Sequence, residues 1–250
     1  MRIPLLHRFA LVLLALALLG CSDDAEMGEV RLQLAGLDTG SAIASAEAGQ
    51  LVISADGDEI VLSQVGLVLR KVRLEGPSTE GCPEDGAGDS GCGELEFGPV
   101  LFELPLEEGA EGVLNAMVPV GSYTGLKFQL HRPTNANEDA DFVAEHPEYG
   151  DISIRVVGSY NGTPFTFASD LTEVEQVSLA GPVEVSAEGP LPLTLLVQVA
   201  GWFAGEDGGL VNPEDANDGG PLESVVERQI RESFRAFHDG DADAVEDAQD

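Results

Sequence analysis

Alternating apolar and polar residues fill most of the chain between residues 29 and 203. In residues 29–35, for example, Val30, Leu32 and Leu34 fall on one side of an extended chain. Because successive side chains of a strand point to opposite faces, this alternation predicts half-buried β-strands. Ten segments carry a strand pattern: 29–35, 50–54, 60–74, 94–104, 112–118, 126–130, 152–160, 163–168, 174–185 and 191–203. Strands and turn signals this frequent predict an all-β fold, an antiparallel β-sandwich over residues 29–203.

The pattern changes after residue 203. Residues 204–220 are rich in glycine and aspartate and predict a linker. Residues 221–238 then predict one amphipathic helix that begins at Pro221 and packs on the sandwich. Its apolar residues recur at helical spacing: Leu222, Val226, Ile230, Phe234 and Phe237. Residues 239–250 form an acidic tail.

The N-terminus predicts an exported protein. Arg2 and Arg8 precede an apolar run from Phe9 to Leu19, and this run is too short to span a bilayer. The run ends in Leu18-Leu19-Gly20-Cys21, which resembles the lipobox of bacterial lipoproteins. The resemblance implies that residues 1–20 are a signal peptide and that Cys21 is acylated. An ordinary secretory signal with a nearby cysteine is the alternative.

The residues after Cys21 bear on location. Residues 21–28 form an acidic tether, and Ser22 resembles an outer-membrane address, because the usual inner-membrane retention signal is an aspartate at that position. The implied location is the bacterial cell envelope, with the lipid anchor in the outer membrane.

The charge of the chain excludes some partners. The formal net charge is -33, and residues 1–20 hold two arginines and no acid, so their removal leaves about -35. Such a surface repels nucleic acid and anionic lipid and attracts cations.

The two remaining cysteines are Cys82 and Cys92, which flank a short polar loop. In an exported protein such a pair predicts a disulfide. A two-thiolate metal site is the alternative, although no CxxC motif or nearby histidine supports it.

The acidic tail is the main candidate site. Counted from Asp239, acids occupy positions 1, 3, 5, 9 and 12 of a loop, a spacing that resembles the calcium loop of an EF-hand. The predicted ligands are Asp239, Asp241, Asp243, Asp247 and Asp250. Two departures stand out: position six is Ala244 where the turn normally needs glycine, and position twelve is Asp250 where a glutamate is usual. A disordered acidic tail is the alternative.

Other motifs point less clearly to chemistry. His131, His146 and His238 are the histidines beyond the signal, and they predict copper or zinc binding only as an alternative because no pair has ligand spacing. Residues 88–91 (Gly-Asp-Ser-Gly) echo the nucleophile segment of chymotrypsin-like proteases, but the only upstream histidine is His7. We therefore expect a non-enzymatic protein.

One corner carries a fold-level resemblance. Pro119, Gly121 and Tyr123 form a Pro-x-Gly-x-Tyr turn before an alternating strand. This turn, with the run of strands and the C-terminal segment, resembles uncharacterised prealbumin-like β-sandwich modules of bacterial lipoproteins. Because the chain is rich in loops but lacks a nucleophile–base pair or a metal triad, we expect a membrane-anchored binding or structural module. Calcium at the acidic tail would support it, and its partner would be an envelope protein or ligand. A metal-handling lipoprotein is the alternative.

Overall fold

The chain folds mainly into β-strands. The computed structural model describes residues 26–36, 44–47, 49–79, 92–136, 138–205, 208–217 and 219–247. The strands are β1 (Met27–Ala35), β2 (Ala44–Glu47), β3 (Gln50–Ala55), β4 (Asp58–Glu75), β5 (Glu94–Glu96), β6 (Val100–Glu103), β7 (Glu111–Pro119), β8 (Gly121–Leu130), β9 (Ile154–Tyr160), β10 (Thr163–Ser169), β11 (Glu173–Val185), β12 (Leu191–Val197) and β13 (Phe234–His238). The α-helices are α1 (Ala140–Glu145) and α2 (Glu223–Arg231).

The strands form one mixed sheet in the order β10-β9-β4-β8-β11-β13-β12-β1-β7. In addition, β3, β5 and β6 pair with β4, and β2 pairs with β3. Most pairs are antiparallel, but β1 runs parallel to β12 and β11 runs parallel to β13. The prediction of a purely antiparallel sheet is therefore wrong. Parallel neighbours require long connections, and β1 and β12 meet across most of the chain because Val30 pairs with Leu191.

Turn chemistry sets the local hairpins. The predicted Asn161-Gly162 turn joins β9 to β10, and both residues have positive φ, 50° and 77°. This backbone is the one a tight two-residue hairpin requires, and asparagine and glycine adopt it at the least cost. The 163–168 and 152–160 strand predictions are confirmed to within two residues.

A large apolar core connects the strands, and a smaller cluster joins Ala35, Leu196, Phe237 and Ala244. Trp202 and Phe203 are fully buried. They follow a 3₁₀ helix over Val199–Gly201 and not a strand, because β12 ends at Val197, so the strand predicted over residues 191–203 is wrong for its last six residues. Phe203 meets Phe167 edge to face, with ring centroids 5.4 Å apart. Phe128 on β8 meets Phe234 on β13 in the same geometry at 5.1 Å. All four rings belong to the same buried core, which therefore includes residues of β8, β10 and β13.

The C-terminal segment differs from the prediction. Helix α2 ends at Arg231, so the expected helix over residues 221–238 is wrong for its last third. Residues Phe234–His238 are instead strand β13, which pairs antiparallel with β12 in a register that places Phe234 opposite Val197. The alternation of Phe234, Arg235 and Ala236 satisfies a strand, and pairing with β12 supplies the backbone hydrogen bonds that a continued helix would have supplied within itself.

The segment predicted as a linker packs against the body of the protein. Val211 and Ala216 are buried in the main core. The side chain of Asn217 accepts a hydrogen bond from Ala168 N at 2.8 Å and donates one to Thr166 O. A short 3₁₀ helix over Pro213–Ala216 is held this way against β10. The segment is therefore part of the folded body, and it fixes the point at which α2, which leads to β13, begins.

Candidate functional site

The acidic loop, residues 239–247, begins inside the protein. Asp239 follows β13 directly and has no exposed surface. Thr194, buried on the neighbouring strand β12, donates a hydrogen bond from Oγ1 to Asp239 Oδ2 at 2.8 Å. A buried carboxylate is costly unless hydrogen bonds compensate for the lost water. The pairing of β12 with β13 thus fixes the first acid of the loop to the sheet.

The loop backbone wraps around the same carboxylate. Asp243 N donates to Asp239 Oδ1 at 3.3 Å, and Ala244 N donates to Asp239 Oδ2 at 3.1 Å. Ala242 and Ala244 adopt positive φ, 60° and 62°, a conformation that usually favours glycine. Ala244 therefore adopts the backbone conformation for which the calcium loop of an EF-hand normally uses a glycine. Its amide points to Asp239, which supports this backbone.

Three of the predicted acids converge. Asp239, Asp241 and Asp243 each present one carboxylate oxygen, and these oxygens all lie within 4.8 Å of one another. Asp247 is used differently, because its Oδ2 accepts a hydrogen bond from Gly240 N at 2.6 Å and lies 3.3 Å from His238 Nδ1. The predicted five-ligand set is therefore not assembled as a whole, and Asp250 lies outside the described residues.

Negative charge is crowded at this loop. The pKa of Asp241 is raised, chiefly by the charge of Asp243 and further by burial and by Asp247. Within the described part of the chain, neither Asp241 nor Asp243 forms an ion pair with a lysine or an arginine. Carboxylate oxygens in this arrangement are the ligand type that hard cations such as Ca²⁺ prefer. The cluster can therefore lower its repulsion by binding a cation.

Comparisons with known proteins give one match. The sequence matches no protein-family model and no curated protein. Among solved structures, MbnP from Methylosinus trichosporium shows a distant likeness to this chain. The two share 8% sequence identity at a TM-score of 0.37, over 72% of this chain and 78% of that chain. At this level of similarity, function has to be inferred from the chain's own residues.

The histidines do not form a metal site among the described residues. His131 is buried, and its Nε2 lies 2.9 Å from Asp139 Oδ1, while Thr134 N donates to the other oxygen of Asp139 at 3.0 Å. Burial lowers the pKa of His131, against the opposing effect of its hydrogen bond to Asp139. His146 packs on the ring of Phe142, with centroids 4.8 Å apart. Neither group of metal-compatible side chains in the described residues contains a histidine.

A second acidic group was missed by the sequence reasoning. Asp170, Glu223 and Glu227 bring their oxygens within 4.8 Å of one another, from the end of β10 and from α2. No spacing rule could find it, because Asp170 lies more than fifty residues before Glu223 and Glu227. Arginines offset part of its charge: Arg132 donates to Asp170 at 2.7 Å, and Arg231 pairs with Glu227, four residues earlier on α2, at 3.4 Å. This compensation favours a structural role.

Several predicted residues lie outside the described part of the structure: the signal peptide with Cys21, Cys82, and residues 88–91. Cys92 is disulfide-bonded. None of the helices in the described ranges combines the length and apolar character needed to cross a membrane.

Proposed function

We propose that this chain is a lipid-anchored lipoprotein of the bacterial cell envelope that acts as a non-enzymatic binding or structural module, with calcium supporting its C-terminal loop. The observation that carries the calcium part is the convergence of Asp239, Asp241 and Asp243. Asp239 is fixed to the sheet by Thr194, and the other two are exposed beside it. A cation bound there would tie the exposed end of the loop to the buried end.

Carboxylate chemistry favours calcium over copper or zinc at this loop. The cluster offers oxygen ligands only, whereas copper and zinc in proteins prefer sites that include imidazole or thiolate. Loops in extracellular calcium modules bind with dissociation constants of roughly 10⁻⁴ to 10⁻³ M, and we expect this range here. The metal-handling alternative predicts tighter binding of copper or zinc.

We further propose that the fold is a prealbumin-like β-sandwich. Two observations support this. One buried core includes Phe165 and Phe167 of β10, at one end of the sheet order, and Val30 and Leu32 of β1, near the other end, as expected if two parts of the sheet face each other. The Tyr123 hydroxyl donates to Pro119 O at 2.7 Å, a hydrogen bond that closes the corner between β7 and β8. A tyrosine corner of this kind recurs in immunoglobulin-like sandwiches.

Calorimetry tests the calcium proposal. The full chain, purified in detergent and freed of metal with a chelator, should bind Ca²⁺ with measurable heat, and the double variant Asp241→Asn/Asp243→Asn should not. A matched control is Glu214→Gln/Asp215→Asn, which removes two exposed carboxylates from a surface turn and should bind like the wild type. Equal heats from all three proteins, or no heat from the wild type, would reject the calcium site.

Fractionation tests the anchor separately. The wild-type protein should partition into the outer-membrane fraction, and Cys21→Ser should become soluble after cell disruption. A Cys21→Ser protein that still partitions wholly into the membrane would reject lipid attachment at this residue. Deleting residues 239–250 should leave the partitioning unchanged, so the two parts of the proposal can fail independently.

A further inference from the structure

A cavity of about 640 Å³ lies between β11, β13, the end of α2 and the acidic loop. Strands β11 and β13 are joined at one residue pair only, Leu179 with Ala236, although they have 13 and five residues. Both strands line the cavity, with Gln176 and Ser178 on one side and Arg235 on the other. A strand edge without a partner presents backbone N–H and C=O groups that an added chain can pair with.

Arg235 is an available cation in this cavity. Ten lysines and arginines lie in the described residues. Nine of them have a hydrogen bond, an ion pair, a ring contact or another electrostatic interaction, and the side chain of Arg235 has none. Its side chain is exposed. The chain has 45 acidic residues against 12 lysines and arginines, so an unpaired arginine is unexpected. A guanidinium binds a carboxylate through two parallel hydrogen bonds.

Glu175 supplies the opposite requirement. Its Oε1 is buried and has no hydrogen-bond partner, and the residue lines the same cavity. Burial raises the pKa of this carboxyl, with the charge of Glu173 acting in the same direction. Arg231, which also lines the cavity, is already engaged by Glu173 and Glu227. An N–H donor from a ligand would satisfy the unpaired oxygen.

We propose that this cavity binds a short peptide in extended conformation. Its terminal carboxylate binds the Arg235 guanidinium, one of its N–H groups donates to Glu175 Oε1, and its backbone lies along the unpaired edges of β11 and β13. The proposal assigns a ligand to the binding role proposed above and rests on that role.

The size and lining of the cavity fit this ligand. The volume falls within the range of roughly 300–1,000 Å³ that small-ligand sites occupy. Leu196 and Phe237 contribute apolar surface, and Val245 in the acidic loop is 47% exposed beside them. A carboxylate alone would use Arg235 but would leave the carboxyl oxygen of Glu175 and the strand edges without donors or acceptors. A peptide supplies all three.

Methyl NMR on the full chain in detergent tests the proposal, with tri-alanine as the probe. The methyl resonances of Ala180, Ala244 and Val245, which line the cavity, should shift and saturate. Arg235→Gln should weaken binding by about tenfold or more, as expected for loss of a charge-assisted hydrogen bond. Tri-alanine amide, which lacks the carboxylate, should bind the wild type as weakly as tri-alanine binds Arg235→Gln. Arg31→Gln, at an exposed arginine on β1, is the matched control and should bind like the wild type.

Three results would overturn the proposal: no saturable shift at these methyl groups, equal binding of peptide and peptide amide, or propionate binding as tightly as tri-alanine. The last result would indicate a simple carboxylate site. Calcium binding and membrane partitioning do not depend on the peptide, so failure here is distinguishable from failure of the proposed function.

Discussion

Replacing Asp239 by asparagine should destabilise the fold without any metal present. The carboxylate has no exposed surface and accepts three hydrogen bonds, from Thr194 Oγ1, Asp243 N and Ala244 N. Asparagine has nearly the same shape but keeps one acceptor oxygen and replaces the other by an NH₂ group. That group would face at least one of the three donors, so at least one buried donor loses its partner.

The magnitude follows from the contacts. Hydrogen bonds to a charged group contribute about 1.5–3 kcal/mol each, and an unsatisfied buried donor costs a comparable amount. We therefore expect Asp239→Asn to lower the free energy of unfolding by about 2–3 kcal/mol. Asp241→Asn, at an exposed carboxylate repelled by its neighbours, should leave the free energy of unfolding nearly unchanged. A double-mutant cycle with Thr194→Val should show coupling to Asp239, because the two side chains are hydrogen-bonded.

Urea unfolding in chelator-containing buffer at fixed ionic strength measures these differences. Trp202 is the only tryptophan and is fully buried, and its Nε1 donates to Ser233 Oγ at 2.9 Å, so its fluorescence reports loss of the C-terminal packing. If Asp239→Asn and Asp241→Asn unfold at the same urea concentration, Asp239 does not organise the loop through these hydrogen bonds. In the same assay without chelator, added calcium should stabilise the wild type and neither of the two variants.

Three further predictions concern the body of the protein. Tyr123→Phe should lower the free energy of unfolding by about 1–2 kcal/mol because Pro119 O loses its donor. Burial raises the pKa of Tyr123 to about 12 from 10.0, so wild-type stability should fall as the pH rises between these values. Alkaline denaturation should show a smaller loss for the variant. Because the folded-state pKa of His131 is lowered, stability should fall as pH drops below its ordinary pKa of 6.5, and His131→Gln should weaken that dependence in urea titrations at several pH values. Gly66→Ala should lower the melting temperature, because an added Cβ would lie 1.9 Å from Tyr149 Oη, and Gly112→Ala, at another strand glycine where an added Cβ meets nothing within 4 Å, tests whether glycine loss alone accounts for the change.

The sequence predicts the individual strands better than their arrangement. Period-two alternation located most strands to within a few residues, because a half-buried strand must alternate whatever its neighbours are. Parallel pairing left no local signal: nothing near Val30 indicates that its partner is Leu191. Phe234 and Phe237 fit the helical stripe that begins at Leu222, so only pairing with β12 decides that they belong to a strand.

The candidate site was predicted in part for a similar reason. The spacing of Asp239, Asp241 and Asp243 along the chain was enough to identify the acids that converge. The burial of Asp239 was not predictable, because it depends on Thr194, which is 45 residues earlier in the chain. Arg235 and Glu175 carry no motif, and they become notable only when the structure shows which polar groups lack partners.

The position of β13 in the sheet bears on how the chain folds. The strand nearest the C-terminus lies between β11 and β12, and the first strand pairs with β12 rather than with its neighbours in sequence. Contacts between residues this far apart slow folding, because a long loop must close before they form. The N-terminal strand therefore cannot reach its final pairing until β12 has emerged, and the sheet stays open between β11 and β12 until β13 has followed. A chain of this topology completes its fold late, when nearly all of it has been released, and until then it exposes strand edges that chaperones can recognise.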